Sequence, residues 1–263
     1  MHAIYLKMLK TVDSICEKNN INYHLEGGTL LGAIRDKGFI PWDDDCDLTF
    51  YRDEYEKFKK VAKDELKKNG MELVKAYDND EFHDFVDRIF YVDKVYREED
   101  IYKNRLRGYY QYIWIDLFIL DDIDINKKSN ALFMQKLIYG LALGHRKNFT
   151  HRVGSKIQFI VAKMISLIGK LFNIKTIYKW HKKISNKYNN KGFKYVYCTN
   201  YAPVWLGYIN EKEKELDIMK VNFEDTKLPV IKTYDEYLKY WYDDYMKLPE
   251  AKDRVPMHKE DIL

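Results

Sequence analysis

Residues 25–50 read LEGGTLLGAIRDKGFIPWDDDCDLTF, and between Trp42 and Leu48 four aspartates occupy seven positions around Cys46. The run that follows, Leu48-Thr49-Phe50-Tyr51, has the apolar and β-branched composition of a strand, so a strand is expected from Cys46 to Tyr51. Alternation then sends Asp45 and Asp47 to one face and Cys46 and Leu48 to the other. Like charges on one face repel unless something positive lies between them, and hard divalent cations such as Mg2+ suit an all-oxygen site of this kind. Asp43 and Asp44 follow Pro41-Trp42 and fit the approach turn, where Asp is favoured at the start. The spacing also imitates a calcium-binding EF-hand, but Leu48 stands where that loop requires glycine for its sharp turn.

Upstream, Glu26-Gly27-Gly28-Thr29 joins an expected strand, Asn20 to Glu26, to an expected helix, Thr29 to Lys37, that Gly38 closes. Two glycines let a ligand approach the backbone closely, and a helix N-terminus presents N–H groups to an anion. Gly-Gly alone is a common turn former. Followed some seventeen residues later by two alternating aspartates, it gives one element for phosphates and another for a metal that bridges them. Arg35, further along the same helix, either reaches a phosphate or sits in solvent near the helix C-terminus, where a cation is favoured. Asp116 interrupts the apolar run YIWIDLFIL, where an ionised group is costly unless paired or metal-bound. Beside the Asp45 strand it completes a three-aspartate cluster; the alternative is a buried carboxylate bonded to backbone amides.

Gly27-Gly28 with Asp45-Cys46-Asp47-Leu48 resembles the signature of the nucleotidyltransferase fold, and the longer string GGTLLGAIRDKGFIPWDDDCDL is similar to the LicD family of bacterial phosphotransferases, which includes the fukutin-related proteins. LPV…YDEYLKYWYDDYMKLPEAKDRVP resembles that family's closing motif. The resemblance implies a CDP-alcohol-dependent phosphotransferase that moves a phospho-alcohol, typically phosphocholine from CDP-choline, to a sugar hydroxyl of a cell-surface glycan such as teichoic acid or lipopolysaccharide, releasing CMP. It makes Asp45, Asp47 and Asp116 the ligands of Mg2+ (or Mn2+) and the catalytic cluster, and Gly27, Gly28 and Thr29 the phosphate cradle; Arg35 joins them as a candidate donor contact. A nucleotidyltransferase that releases pyrophosphate would use the same cluster. A non-catalytic glycan- or nucleic-acid-binding module is a third possibility, but three aspartates at the site would repel a phosphate backbone unless metal were present, so no nucleic acid partner is expected.

The rest of the chain supports a mixed α/β (α+β) class, a nucleotidyltransferase-like mixed sheet flanked by helices. Helices are expected over Met1 to Asn19 and over Arg52 to Asn69, the latter with Asp53 as N-cap, Gly70 at its C-terminus, and Tyr55, Phe58, Val61, Ala62 and Leu66 buried. Strands are expected over Glu72 to Tyr77, Phe82 to Tyr91 and Tyr110 to Leu120, the last stopped by Asp121-Asp122. Residues 1–125 would form the catalytic core, 126–210 a basic and mainly helical elaboration, and 211–263 a segment that packs back on the core. In the last of these, Lys227 to Pro249 reads as a loop and then a helix whose Tyr237, Trp241 and Tyr245 recur every four residues, as core residues would.

Charge separates these regions. From Ile125 to Asn210 there is no Asp or Glu and there are 16 Lys and Arg, which leaves 29 basic against 41 acidic residues elsewhere. That asymmetry points to an anionic partner, whether membrane, polyanionic polymer or nucleic acid, with a solvated basic face as the alternative; the resemblance turns it toward an anionic or lipid-linked glycan acceptor or a membrane surface. Ile157 to Ile174 nearly matches a membrane span in length, but Lys163 and Lys170, in step with Lys156, form one basic stripe on an apolar helix. Such a helix either lies in a membrane interface or packs as core. Cys16, Cys46 and Cys198 are too few and scattered for a disulfide framework, and the N-terminus lacks a signal core, so the expected location is the cytoplasm or the inner face of its membrane.

Overall fold

The computed structural model describes residues 1–78, 84–93, 112–146 and 156–256. Its elements, in chain order, are α1 (His2–Lys18), β1 (His24–Leu25), α2 (Gly27–Arg35), β2 (Asp47–Tyr51), α3 (Arg52–Lys68), β3 (Met71–Val74), β4 (Asp87–Tyr91), β5 (Ile113–Ile123), α4 (Lys128–Ala142), α5 (Lys156–Gly169), α6 (Ile174–Ser185), β6 (Tyr195–Cys198), β7 (Ile209–Glu211), α7 (Lys212–Leu216), β8 (Ile218–Phe223), β9 (Thr226–Ile231) and α8 (Tyr234–Tyr242). The class is mixed α/β, as the sequence pattern indicates. By internal contacts the chain divides into two compact units: Met1–Val74, Asp87–Ile119 and Glu213–Leu263 form the first, and Lys75–Val86 and Leu120–Lys212 the second.

In the first unit the strands lie in the order β1-β2-β5-β4-β3, with β1–β2, β3–β4 and β4–β5 antiparallel. Helices α1 and α3 supply apolar stripes at helical spacing: Tyr5, Met8, Leu9 and Val12 from one, Tyr55, Phe58, Ala62 and Leu66 from the other. Val61 lies off the second stripe and is exposed. Gly70, at φ +74°, ends α3 in the left-handed conformation that glycine adopts without strain. Asp53 is not the cap: α3 starts directly after Tyr51, and Asp53 and Glu54 fall in its first turn, where carboxylates suit the helix dipole.

Several expected segments are redrawn. The Asn20 to Glu26 strand shrinks to His24–Leu25, and β3 ends at Val74 because Ala76–Asp78 coils into a 3-10 turn. The expected loop after Lys227 is instead half of a hairpin, β8 paired antiparallel with β9 from Ile218↔Ile231 to Phe223↔Thr226. Its turn residue Glu224 receives the Phe39 N–H on Oε1 at 3.1 Å and donates its own N–H to Lys37 O at 2.8 Å. Of the strands expected over Phe82 to Tyr91 and Tyr110 to Leu120, residues 82–83 and 110–111 lie outside the described residues.

Asp121-Asp122 does not stop β5. The strand runs on to Ile123 with both aspartates fully buried, because partners in the second unit meet their charge. Asp121 accepts from the Thr199 hydroxyl and the Asn189 amide, and Asp122 is ion-paired with Lys212 at 3.0 Å. Their stretch of β5 pairs antiparallel with β6, which pairs with β7. The apolar centre of this unit gathers Phe85, Ile138, Leu141, Ala142, Ile177 and Tyr178, with the His181 ring stacked on Phe85 at 3.9 Å.

The long apolar helix expected over Ile157 to Ile174 ends early, at Gly169, and a second helix begins at Ile174. This second helix, α6, starts under an Asn173 N-cap, and the axis bends by 113°. Where α5 meets the preceding helix the fit is backbone to backbone: a Cβ on Gly144 would stand 2.1 Å from Ser166 O, and one on Gly169 2.0 Å from Leu141 O. Gly144→Ala therefore forces the two segments apart and is expected to destabilise the second unit by about 1–3 kcal/mol. A chemical-denaturation midpoint equal to that of the unsubstituted protein would contradict this packing.

Candidate active site

Helix α2 begins at Gly27 itself, two residues earlier than the apolar spacing suggests, with extended Glu26 as its N-cap. Its first backbone bond runs from Leu30 N–H to Glu26 O at 3.0 Å. The N–H groups of Gly27, Gly28 and Thr29 thus precede the helical ladder and have no intrahelical acceptor. Gly27 takes φ +52°, which costs an L-side chain roughly 1–2 kcal/mol and costs glycine nothing.

The glycine turn faces the aspartates. A Cβ on Gly27 would stand 3.3 Å from Asp47 Oδ2 and 3.9 Å from the Tyr242 hydroxyl, and one on Gly28 would stand 2.7 Å from Asp43 Oδ2. Backbone bonds fix this approach: Glu26 N–H donates to Asp47 O at 3.1 Å, and Asp47 N–H to the Thr29 hydroxyl at 3.0 Å. Thr29 is buried, and its hydroxyl positions the start of β2. On the other side of β2, Asp116 N–H donates to Cys46 O at 3.0 Å. Cys46 and Leu48 are buried while Asp45 and Asp47 are partly open, the expected alternation in burial, although β2 begins only at Asp47 and Asp45 and Cys46 precede it.

Burial, then the charges of Asp45, Asp116, Asp43 and Glu26, hold the Asp47 carboxyl well above the usual carboxylate range. The structure therefore brings all three expected aspartates into one electrostatic neighbourhood and adds Asp43 and Glu26. Asp116 is also engaged elsewhere: Arg88, its direct cross-strand neighbour on β4, approaches its carboxylate at 2.7 Å. Among the described residues no group of three or more His, Cys, Asp or Glu side chains is placed to hold a metal ion, so Asp45, Asp47 and Asp116 do not converge on one point here. An all-oxygen group of aspartates beside a glycine turn nevertheless fits Mg2+, which takes one or two carboxylates and completes its shell with phosphate and water. Arg35 does not join this group; it ends α2 at the far side from the glycines, paired with Asp36 at 2.8 Å and close to the Trp42 ring.

Two participants were not singled out from the sequence. Glu26 is buried and its carboxylate is fully engaged, accepting from the Thr49 hydroxyl at 2.6 Å and from the Tyr237 hydroxyl. Tyr242 leaves its ring partly exposed but sinks its hydroxyl among the carboxylates; burial first, then Asp47, Asp43, Glu26 and Asp45, push that hydroxyl far up. Both tyrosines lie on α8, so the C-terminal motif returns to the glycine turn. Its spacing in YDEYLKYWYDDY was the available signal, and Glu26 directly precedes Gly27-Gly28.

Comparison with known proteins agrees with this geometry. Residues 20–117, which span the glycine turn and all three aspartates, match the nucleotidyltransferase domain of the LicD/FKTN/FKRP family. The chain is 28% identical over 271 residues to the lipopolysaccharide cholinephosphotransferase LicD of Haemophilus influenzae, covering 98% of this chain and 94% of that protein. Shorter stretches match uncharacterized proteins of Rickettsia prowazekii, 50% identical over 42 residues and 16% of each chain, and of Rickettsia typhi, 40% identical over 55 residues, 21% of this chain and 18% of that one.

Proposed function

We propose, from the premise that the chain carries a LicD-family nucleotidyltransferase domain at residues 20–117, that it is a transferase moving phosphocholine from CDP-choline to a sugar hydroxyl of a cell-surface glycan. The similarity to a lipopolysaccharide cholinephosphotransferase along nearly the whole chain supports the transferase class and a glycan acceptor. The observation that carries the reading is the close approach of Gly27 to Asp47, 3.3 Å from a Cβ position to a carboxylate oxygen, which sets a helix N-terminus suited to phosphate beside an acidic pair suited to a cation.

In this mechanism the α2 N-terminus and the glycine backbone hold the donor diphosphate, and Asp45 and Asp47 are the residues that would hold Mg2+ or Mn2+. When bound, the cation offsets negative charge on the attacked phosphate and on the departing CMP. Thr29 fixes the strand that carries Asp47, and Glu26, locked by Thr49 and Tyr237, fixes the start of the helix. The acceptor hydroxyl attacks the phosphorus that bears choline, the bond to CMP breaks, and a carboxylate of the cluster takes the hydroxyl proton. Positioning supplies most of the catalysis in such a transfer.

Thermal denaturation tests the site. CDP-choline with Mg2+ is expected to raise the melting temperature by several degrees, and an oligonucleotide with Mg2+ is expected to leave it unchanged. No response to the nucleotide, or an equal response to the oligonucleotide, would overturn the proposal.

A further inference from the structure

Among the described residues helix α5 meets α4 and the turn after it along a seam of small residues, and much of its remaining surface is apolar and exposed. Ser166 and Gly169 are buried and Ala162 and Ile165 partly so, facing Leu141 and the glycines at 140 and 144. Such small-residue contacts let helix backbones meet closely without a broad apolar interface. Around the rest of the helix Ile157, Ile160, Val161, Met164, Leu167 and, just beyond its end, Leu171 are between 49% and 79% exposed. Clustered exposure of this extent on one element marks an interaction surface. These exposures weigh against the alternative kept open by the sequence, a helix buried as core.

Charge identifies what covers it. Lys163 and Lys170 are exposed among the apolar residues, and the adjoining α6 buries Ile177, Tyr178, His181 and Ser185 while exposing Lys175, Lys179, Lys182 and Lys183. No acidic side chain occurs anywhere from Ile125 to Asn210 to offset them. A protein partner for this face would have to be both apolar and acidic, whereas an anionic bilayer offers both properties at its headgroup boundary. Fourteen residues rise about 21 Å, short of a hydrocarbon core of roughly 30 Å, and among the described residues no single helix is long and apolar enough to cross a membrane.

We propose that α5 is a membrane-docking helix that lies in the interface of an anionic bilayer, its apolar side chains among the acyl chains and the lysines of α5 and α6 against the headgroups. Lysine stems reach from that depth to the phosphates. The inference does not depend on the transferase reading, and a protein with no transfer activity would still show it.

Sedimentation with phosphatidylcholine vesicles containing roughly one-third phosphatidylglycerol tests it. The full chain is expected to bind these vesicles at least about tenfold more tightly than vesicles of phosphatidylcholine alone. Ile160→Glu with Met164→Glu, both at exposed positions and so compatible with folding, is expected to weaken binding by roughly tenfold or more. Lys163→Glu with Lys170→Glu should remove the preference for anionic lipid and leave the fold intact by circular dichroism. Failure to bind, equal binding to neutral vesicles, or binding unchanged in the apolar double variant would overturn the proposal. So would a dimer of the unsubstituted protein that the same double variant dissociates, since a second copy would then be the occupant of the face.

Discussion

Asp47→Asn is expected to lower transfer by on the order of 10²–10³-fold or more, with the chain still folded. Two properties of Asp47 lead there. Its Oδ2 faces Gly27, 3.3 Å from a Cβ position there, and every charge named around it (Asp45, Asp116, Asp43 and Glu26) is negative. Without a cation these charges oppose folding, so the amide, nearly the same in shape, removes repulsion. The metal-free variant should melt no lower than the unsubstituted protein, and each 1 kcal/mol of relief raises the midpoint by about 2–4 °C. Added Mg2+ with CDP-choline should then stabilise the original protein more than the variant. A folded variant with near-normal turnover would remove Asp47 from the mechanism.

Gly27→Ala is expected to have the next largest effect, and by a different route. The methyl group would have to adopt φ +52° and would project 3.3 Å from Asp47 Oδ2, into the space assigned to the donor diphosphate. Backbone strain should cost about 1–2 kcal/mol of stability, and the displaced donor should cost transfer on the order of 10²-fold. The two effects separate on measurement, because strain appears in a denaturation curve without substrate and displacement appears in kcat/KM at a temperature where the variant is folded. Destabilisation with undiminished kcat/KM would leave Gly27 a structural turn and no more.

How much of this could be read from the residues depended on how local the determinant was. The alternation Asp45-Cys46-Asp47-Leu48 is legible because strand geometry repeats every two residues, and the burial of Cys46 and Leu48 follows it directly. The face of α3 is legible for the same reason at helical period, with Val61 as the one residue misassigned. Asp121 and Asp122 defeated local reasoning because what lets a strand carry them lies far along the chain, in Asn189, Thr199 and Lys212. Arg88 opposite Asp116 depends on a register that no spacing announces. Tyr242 belongs to the site only because α8 returns to the glycine turn more than two hundred residues later, and the aromatic period reads equally as core, which Tyr237 on α8 and Tyr245 beyond its end at Tyr242 are. The break after Gly169 was also hidden: apolar composition runs through it, and only the Asn173 cap marks a new helix.

The measurement closest to the central claim is product analysis after incubation of the full-length protein with CDP-choline, Mg2+ and lipopolysaccharide lacking phosphocholine. The account predicts that CMP is released and that phosphocholine appears on a sugar hydroxyl of the glycan in equal amount, with both products lost in Asp47→Asn. No CMP and no phosphocholine on the glycan, with pyrophosphate released when a nucleoside triphosphate replaces CDP-choline, would contradict it.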